Sequence, residues 1–378
     1  MKKDTQCIHS GTFKDLATGG VNTPVYTSSS FAYIDATCNV YPRYFNTPNQ
    51  KAVVDKLSAL ENTEDGILFS SGMAAISTVL FTFLKQGDHA VLQRDVYGGT
   101  HHFAMSEFDK FGIDYTFVSN DIDNIKKEIR DNTKVIYIES PSNPLLKITD
   151  IRAVAELARS KNIVTAIDNT FATPINQNPH DYGIDIILHS GTKYLGGHSD
   201  ICCGAALGRK SLIDKIVKSA INFGGSLNAS TCYLLERSLK TLSIRIDRQC
   251  SNAQHIAESL QLNSMIRNVY YPGLDSHESH ETAKSQMKAF GAVVSFELEE
   301  GTVDPDMFVR NLKLIAPALS LGGIETLICS PATTSHEKMS EKDRQSIGIT
   351  KGLFRLSVGI EDKDDILDDI EQAFYEGQ

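Results

Sequence analysis

From Ile67 to Leu188 the chain sets short apolar runs against longer stretches of helical spacing, and few architectures accept that alternation. The runs are Ile67-Leu68-Phe69, Ala90-Val91-Leu92, Tyr115-Thr116-Phe117-Val118, Val135-Ile136-Tyr137-Ile138, Ile163 to Ile167 and Ile184-Asp185-Ile186-Ile187-Leu188. They are short and rich in branched residues, as buried strands are. Around them lie Gln50 to Leu60 with Val53, Leu57 and Leu60 in register, a polar stretch from Ile122 to Arg130, and Asp150 to Lys161 with Val154, Leu157 and Ala158 on one face. These read as helices. Strands that alternate with helices need right-handed crossovers, so the expected fold is α/β, with a mostly parallel central sheet sandwiched by helices. Reactive groups in such sheets gather beyond the strand ends.

With 378 residues and 41% hydrophobic content the chain can bury a large core and divides naturally into parts. We expect an arm over 1–50, where turn residues dominate, a main domain over 51–245, and a smaller α/β domain over 246–378 with strands at Val293 to Phe296 and Phe354 to Val358. A net charge of −10 disfavours nucleic acid and anionic membranes as partners and points to a metabolite. The first residues, MKKDTQCIHSGTFKDL, lack the apolar stretch of a signal peptide, and Ala74 to Leu84 falls well short of the roughly 20 residues a bilayer needs. A cytoplasmic enzyme is expected. The seven cysteines show no CxxC spacing, which argues against a disulfide framework and a zinc site; no metal is expected.

The strand ends carry the chemistry. After Leu188 comes His189-Ser190-Gly191-Thr192-Lys193, where two hydroxyls can donate to phosphate oxygens beside an amine. A lysine in a poorly solvated pocket loses part of its charge stabilisation and becomes a nucleophile, a base or a Schiff-base partner. On these residues alone an ordinary surface lysine explains the stretch at least as well. Asp168 closes the preceding strand, where a carboxylate can pair with a protonated ring nitrogen or simply cap the turn that follows. Ser70-Ser71-Gly72-Met73 joins a strand to a helix start, an arrangement whose free amides bind anions, though a plain turn is as common there. Tyr97 could stack on a flat ring, and Tyr41 and Arg43 could reach a phosphate from the arm.

Taken together these stretches resemble the trans-sulfuration family of pyridoxal-phosphate (PLP) enzymes, the cystathionine and methionine lyases and synthases, over nearly the whole chain. HSGTKYLGGHSD is similar to the family's PLP-lysine segment, SSGMAA to its phosphate loop, VYGGT to its stacking tyrosine, ESPSNP to a loop whose asparagine faces cofactor or substrate, DNTF to its ring-nitrogen aspartate, SLGGIE and RLSVG to its substrate pocket. The resemblance implies PLP fold type I and PLP on Lys193, with Gly72 and Met73 as amide donors, Ser190 and Thr192 at the phosphate, Tyr97 over the ring and Asp168 at its nitrogen. It assigns the substrate to Asn143, Ser320 and the bidentate clamp Arg355, and gives Lys193, Tyr97 and Tyr41 catalytic parts. It also implies that Tyr41 and Arg43 act in a neighbouring subunit, so that a homodimer or homotetramer shares its sites. The match lapses at Phe45-Asn46-Thr47-Pro48, where the family usually has Gly-Asn-Pro-Thr, and at Gly99, where methionine γ-lyases commonly have cysteine.

Two further positions bear on the substrate. Family members that handle cystathionine often carry acids just before the arm tyrosine and just before the SLGG serine; here those places hold Val40 and Leu319. Apolar residues suit an uncharged thioether and leave a distal ammonium without a partner. The expected activity is therefore carbon-sulfur elimination from sulfur amino acids such as methionine, homocysteine or cystathionine, giving keto acid, ammonia and thiol. Its rivals are γ-replacement by a sulfhydrylase or cystathionine γ-synthase, amino transfer, and a non-catalytic protein on the same fold.

Overall fold

The computed structural model describes residues 1–334, 341, 344 and 348–375. All six apolar runs form strands: β1 (Asp65–Phe69), β2 (His89–Gln93), β3 (Asp114–Val118), β4 (Thr133–Glu139), β5 (Val164–Asp168) and β6 (Ile186–Ser190). With β7 (Gly204–Gly208) they make a seven-stranded sheet in the order β1-β7-β6-β5-β4-β2-β3. From β6 across to β3 neighbouring strands run parallel, as the alternation predicts. β7 is inserted antiparallel to both β6 and β1.

Residues buried on both faces explain the nearly continuous apolar runs. Along β4, Ile136 and Ile138 point into a core shared with Val53 and Leu57 of the helix α2 (Pro48–Glu61), while Val135 and Tyr137 point into another shared with Ile76 and Leu80 of α3 (Gly72–Phe83). α2 begins at a capping box in which Thr47 and Gln50 satisfy each other's backbone amides.

The C-terminal part builds a second sheet from β8 (Ile266–Tyr270), β9 (Val293–Leu298), β10 (Ala316–Pro317), β11 (Leu327–Cys329) and β12 (Leu353–Ser357), in the order β10-β11-β12-β9-β8. One helix, Leu242–Gln261, serves both parts. Its Leu242 and Ile246 lie in the core beneath the large sheet, and its Ala253, Ile256, Ala257 and Leu260 lie in the core of the small one. A division near 245 therefore falls inside a helix.

The arm is less extended than its composition suggests. It opens with a helix, α1 (Lys3–His9), whose last turn is tied to the chain's own body: the buried Lys56 ammonium donates to the Cys7 and Ile8 carbonyls at 2.9 and 3.2 Å. Burial lowers Lys56 to about 8. Further on, Thr12 and Thr23 both donate to Glu236, at 2.7 and 3.0 Å. Between and beyond these ties the arm carries bare apolar side chains, Leu16 at 98% and Tyr33 at 77% exposed. No helix among the described residues is long and apolar enough to cross a membrane.

Candidate active site

A cavity of about 500 Å³ opens beyond the ends of β4, β5 and β6, where the alternation places reactive groups. Gly72, Met73, Tyr97, Asn143, Asp168, Ser190, Thr192, Lys193, Ser320 and Arg355 all line it. Tyr41 and Arg43 do not. Both are exposed; Arg43 lies against the Tyr41 and Tyr44 rings and donates to the Ile221 carbonyl at 2.7 Å.

Asp168 and Lys193 come together because β5 and β6 pair in register and their ends are laced. The Thr170 amide donates back to Asp168 Oδ1 at 3.0 Å, and the Ser190 amide donates to Thr170 Oγ1 at 2.8 Å. Thr170 is thus a site residue that the sequence offered inside DNTF without marking. Burial raises the Asp168 carboxyl, while the Thr170 hydrogen bonds and His189 draw it back down. Among the described residues no lysine or arginine pairs with it.

Lys193 follows the strand end by one turn, and its Nζ donates to Ser320 Oγ at 2.6 Å. Burial is the first reason that its pKa is lowered, and the Arg355 charge is the second. Ser320 holds φ of 91° without being glycine, the sort of backbone strain found where a side chain must be aimed. Arg355, buried in β12, binds the Ser320 carbonyl through Nη2 at 2.9 Å and Asn143 Oδ1 through Nη1 at 3.1 Å. Its Nε is buried without an acceptor among the described residues.

Opposite Lys193, the Ser71 hydroxyl caps α3 by accepting from the Ala74 amide at 3.1 Å, leaving the first-turn amides of Gly72 and Met73 without intrahelical acceptors. A Cβ at Gly72 would come within 2.9 Å of the Ser190 Cβ, so glycine keeps this cup open. Tyr97 lies on the cavity wall with its amide donating to Glu139 Oε2 at 2.8 Å, and Glu139 is a second wall carboxyl that sequence reasoning passed over.

An amide cup with two hydroxyls, an amine of lowered pKa, a wall tyrosine and a buried carboxyl lacking a cation fit the phosphate, aldehyde, ring and ring nitrogen of PLP in turn. The Cys/Met metabolism PLP-dependent enzyme family matches residues 4–375. The chain belongs to that family, and its cofactor is PLP. It is 44% identical to cystathionine beta-lyase MetC of Bacillus subtilis (strain 168) over 378 residues, covering 99% of this chain and 96% of that protein. It is 41% identical over 384 residues to an L-methionine gamma-lyase of Fusobacterium nucleatum subsp. polymorphum, covering 98% and 97%. The crystal structure of cystathionine gamma-lyase from Lactobacillus plantarum complexed with L-serine superposes with a TM-score of 0.95 at 40% identity, covering 99% of this chain and 98% of that one. The architecture is therefore PLP fold type I, with the mostly parallel sheet that the sequence implied.

Proposed function

We propose that this protein is a PLP-dependent carbon-sulfur lyase of sulfur amino acids. The observation that carries the reading is the meeting of the Lys193 amine, the Asp168 carboxyl and the Arg355 guanidinium on one cavity. PLP, when bound, supplies an electron sink for the pair left on the substrate's α-carbon. Gly72 and Met73 amides with the Ser190 and Thr192 hydroxyls would bind its phosphate, Tyr97 would cover its ring, and Asp168 would keep the ring nitrogen protonated.

Lys193 would hold the aldehyde, and its Nζ is the base placed to take the α-proton and pass it on. The lowered pKa leaves more of this amine neutral near pH 7. Arg355 clamps the substrate carboxylate, with Asn143 and Ser320 fixing the fork.

The side-chain end of the cavity favours an uncharged thioether. Leu319 lines it, and Glu139 and Asp168 are the two carboxyls among its described lining residues, both buried at the strand ends. Among the described residues a distal ammonium finds no free carboxylate at that end. Val40 lies off this cavity, with the arm. γ-Replacement by a thiol is the competing reading, favoured by Gly99: a Cβ there would collide with the Tyr97 ring, so this ring position leaves no room for the cysteine usual in methionine γ-lyases.

Tyr41 and Arg43 are exposed and apart from the cavity of their own chain, which supports a second copy as their place of action and a homodimer or homotetramer as the working form. Seven free cysteines suit a reducing, cytoplasmic compartment.

The test is a panel of methionine, homocysteine, cystathionine, and activated homoserine esters with sulfide, following keto acid, ammonia and thiol together. Ammonia and keto acid from the thioethers are expected; turnover of esters alone would shift the assignment to replacement. Lys193→Ala should abolish the visible band of the PLP-loaded protein, and a wild-type chain without such a band would end the reading.

A further inference from the structure

Glu139 has no task in that reading, yet it occupies a demanding place. β4 and β5 pair so that Glu139 stands directly opposite Asp168, and both side chains are buried on the cavity wall. Two carboxyls so placed cannot both ionise at low cost. Burial raises Glu139 well above the usual range, with Asp168 and then Asp95 pushing the same way, against the Tyr97 amide and Arg355. Asp168 has the Thr170 hydrogen bonds and His189 to hold its charge. The surroundings therefore favour the charge on Asp168 over one on Glu139.

The contacts of Glu139 say what it does there. Its amide donates to Gln93 Oε1 at 3.2 Å, which fixes it to the end of β2. Its Oε2 takes the Tyr97 amide at 2.8 Å, in the loop that leaves β2. Asp95, earlier in that loop, is held by Lys147 at 3.1 Å. The backbone that aims the Tyr97 ring is thus pinned at two points, and Glu139 is the second.

We propose that Glu139 is a positioning residue which, by accepting the Tyr97 amide, holds Tyr97 over the cofactor. This rests on the assignment of Tyr97 and Asp168 to PLP. A neutral acceptor of the same reach can replace Glu139, whereas a shorter side chain cannot.

The experiment compares Glu139→Gln, Glu139→Asp and Glu139→Ala in the PLP-loaded enzyme, measuring the PLP dissociation constant, kcat/KM with methionine and the pH titration of the visible band. Glu139→Gln should stay within about threefold of wild type, as an isosteric acceptor does, and keep the titration midpoint. Glu139→Asp and Glu139→Ala should each weaken PLP binding about tenfold, the effect of one buried amide left unpaired. In a Tyr97→Ala background, Glu139→Ala should add less than about threefold, since its target is already gone. The proposal is overturned if Gln damages the enzyme as much as Ala, or if the double variant is additive. Should Glu139→Ala fail to fold, the Gln and Asp pair decides the matter by the same criteria. A wild-type chain that takes up no PLP overturns the functional reading itself, and this inference with it, whereas a PLP-loaded wild type with an impaired Gln variant overturns this inference alone.

Discussion

The strand-end wall of the cavity and the N-terminal arm carry comparable chemistry in opposite settings. On the wall, each functional group is held by something else: Asp168 by Thr170, Lys193 by Ser320, and Arg355 by Asn143 and the Ser320 carbonyl. On the arm, Tyr41 and Arg43 are exposed, and Arg43 rests on a carbonyl of its own chain. The wall is complete within one chain. On the proposed reading the arm's two residues act in another chain, and the exposed apolar side chains of the arm are in keeping with that.

If that contrast is right, damage to the wall should cost function without costing the fold. Asp168→Asn should lower kcat about 10²- to 10³-fold, the scale for removing one preorganised charge at a reacting centre. Its stability should not fall, because a buried amide is cheaper to desolvate than a carboxylate. The sign follows from the raised pKa of Asp168: the contribution of this group is present in acid and lost as pH rises past its unfolded value. Denaturant titrations at several pH values should therefore show a flatter profile for the variant.

Arg355→Met should raise KM about 10- to 100-fold, as expected for hydrogen bonds to a charged group. It should also move the Lys193 titration upward, since the Arg355 charge helps to lower it; the pH dependence of PLP uptake reports that shift.

For the arm, Arg43→Ala should cost about tenfold in kcat/KM and under about 0.5 kcal/mol in stability, read from steady-state rates and urea unfolding. Mixing Arg43→Ala chains with Lys193→Ala chains should restore part of the activity, because each hybrid pair then holds one intact site. Absence of recovery would assign arm and cavity to the same chain and remove the contrast. Thr47→Ala, at the junction of arm and body, should lose only about 1 kcal/mol of stability, the usual effect of an N-cap, by urea unfolding.

What could be read in advance follows the same divide. Strands buried on both faces announce themselves by branched residues; Lys193 and Asp168 draw attention by standing at or just beyond two such strand ends, and the family resemblance supplies the roles expected of them. Gly204-Ala205-Ala206-Leu207-Gly208 reads as a strand, but nothing in it marks β7 as antiparallel, since direction is set by pairing with β1 and β6. α1 was missed for a related reason. Lys-Asp-Thr-Gln-Cys-Ile-His is short and polar, and its helix is secured by Lys56 at the far side of the arm. Glu139 and Thr170 stood inside recognised motifs, but their importance comes from neighbours across the sheet, which one-dimensional spacing does not reveal.

The helix Leu242–Gln261, gripped at one end by the large core and at the other by the small one, has a mechanical consequence. Swinging the two sheets apart like a clamshell would mean bending a rod of 20 residues packed at both ends, so the helix opposes any such opening between Arg355 and Lys193. Traffic in and out should instead pass the rim beside Leu319, 68% exposed and outside both sheets, where a side chain can step aside without disturbing either.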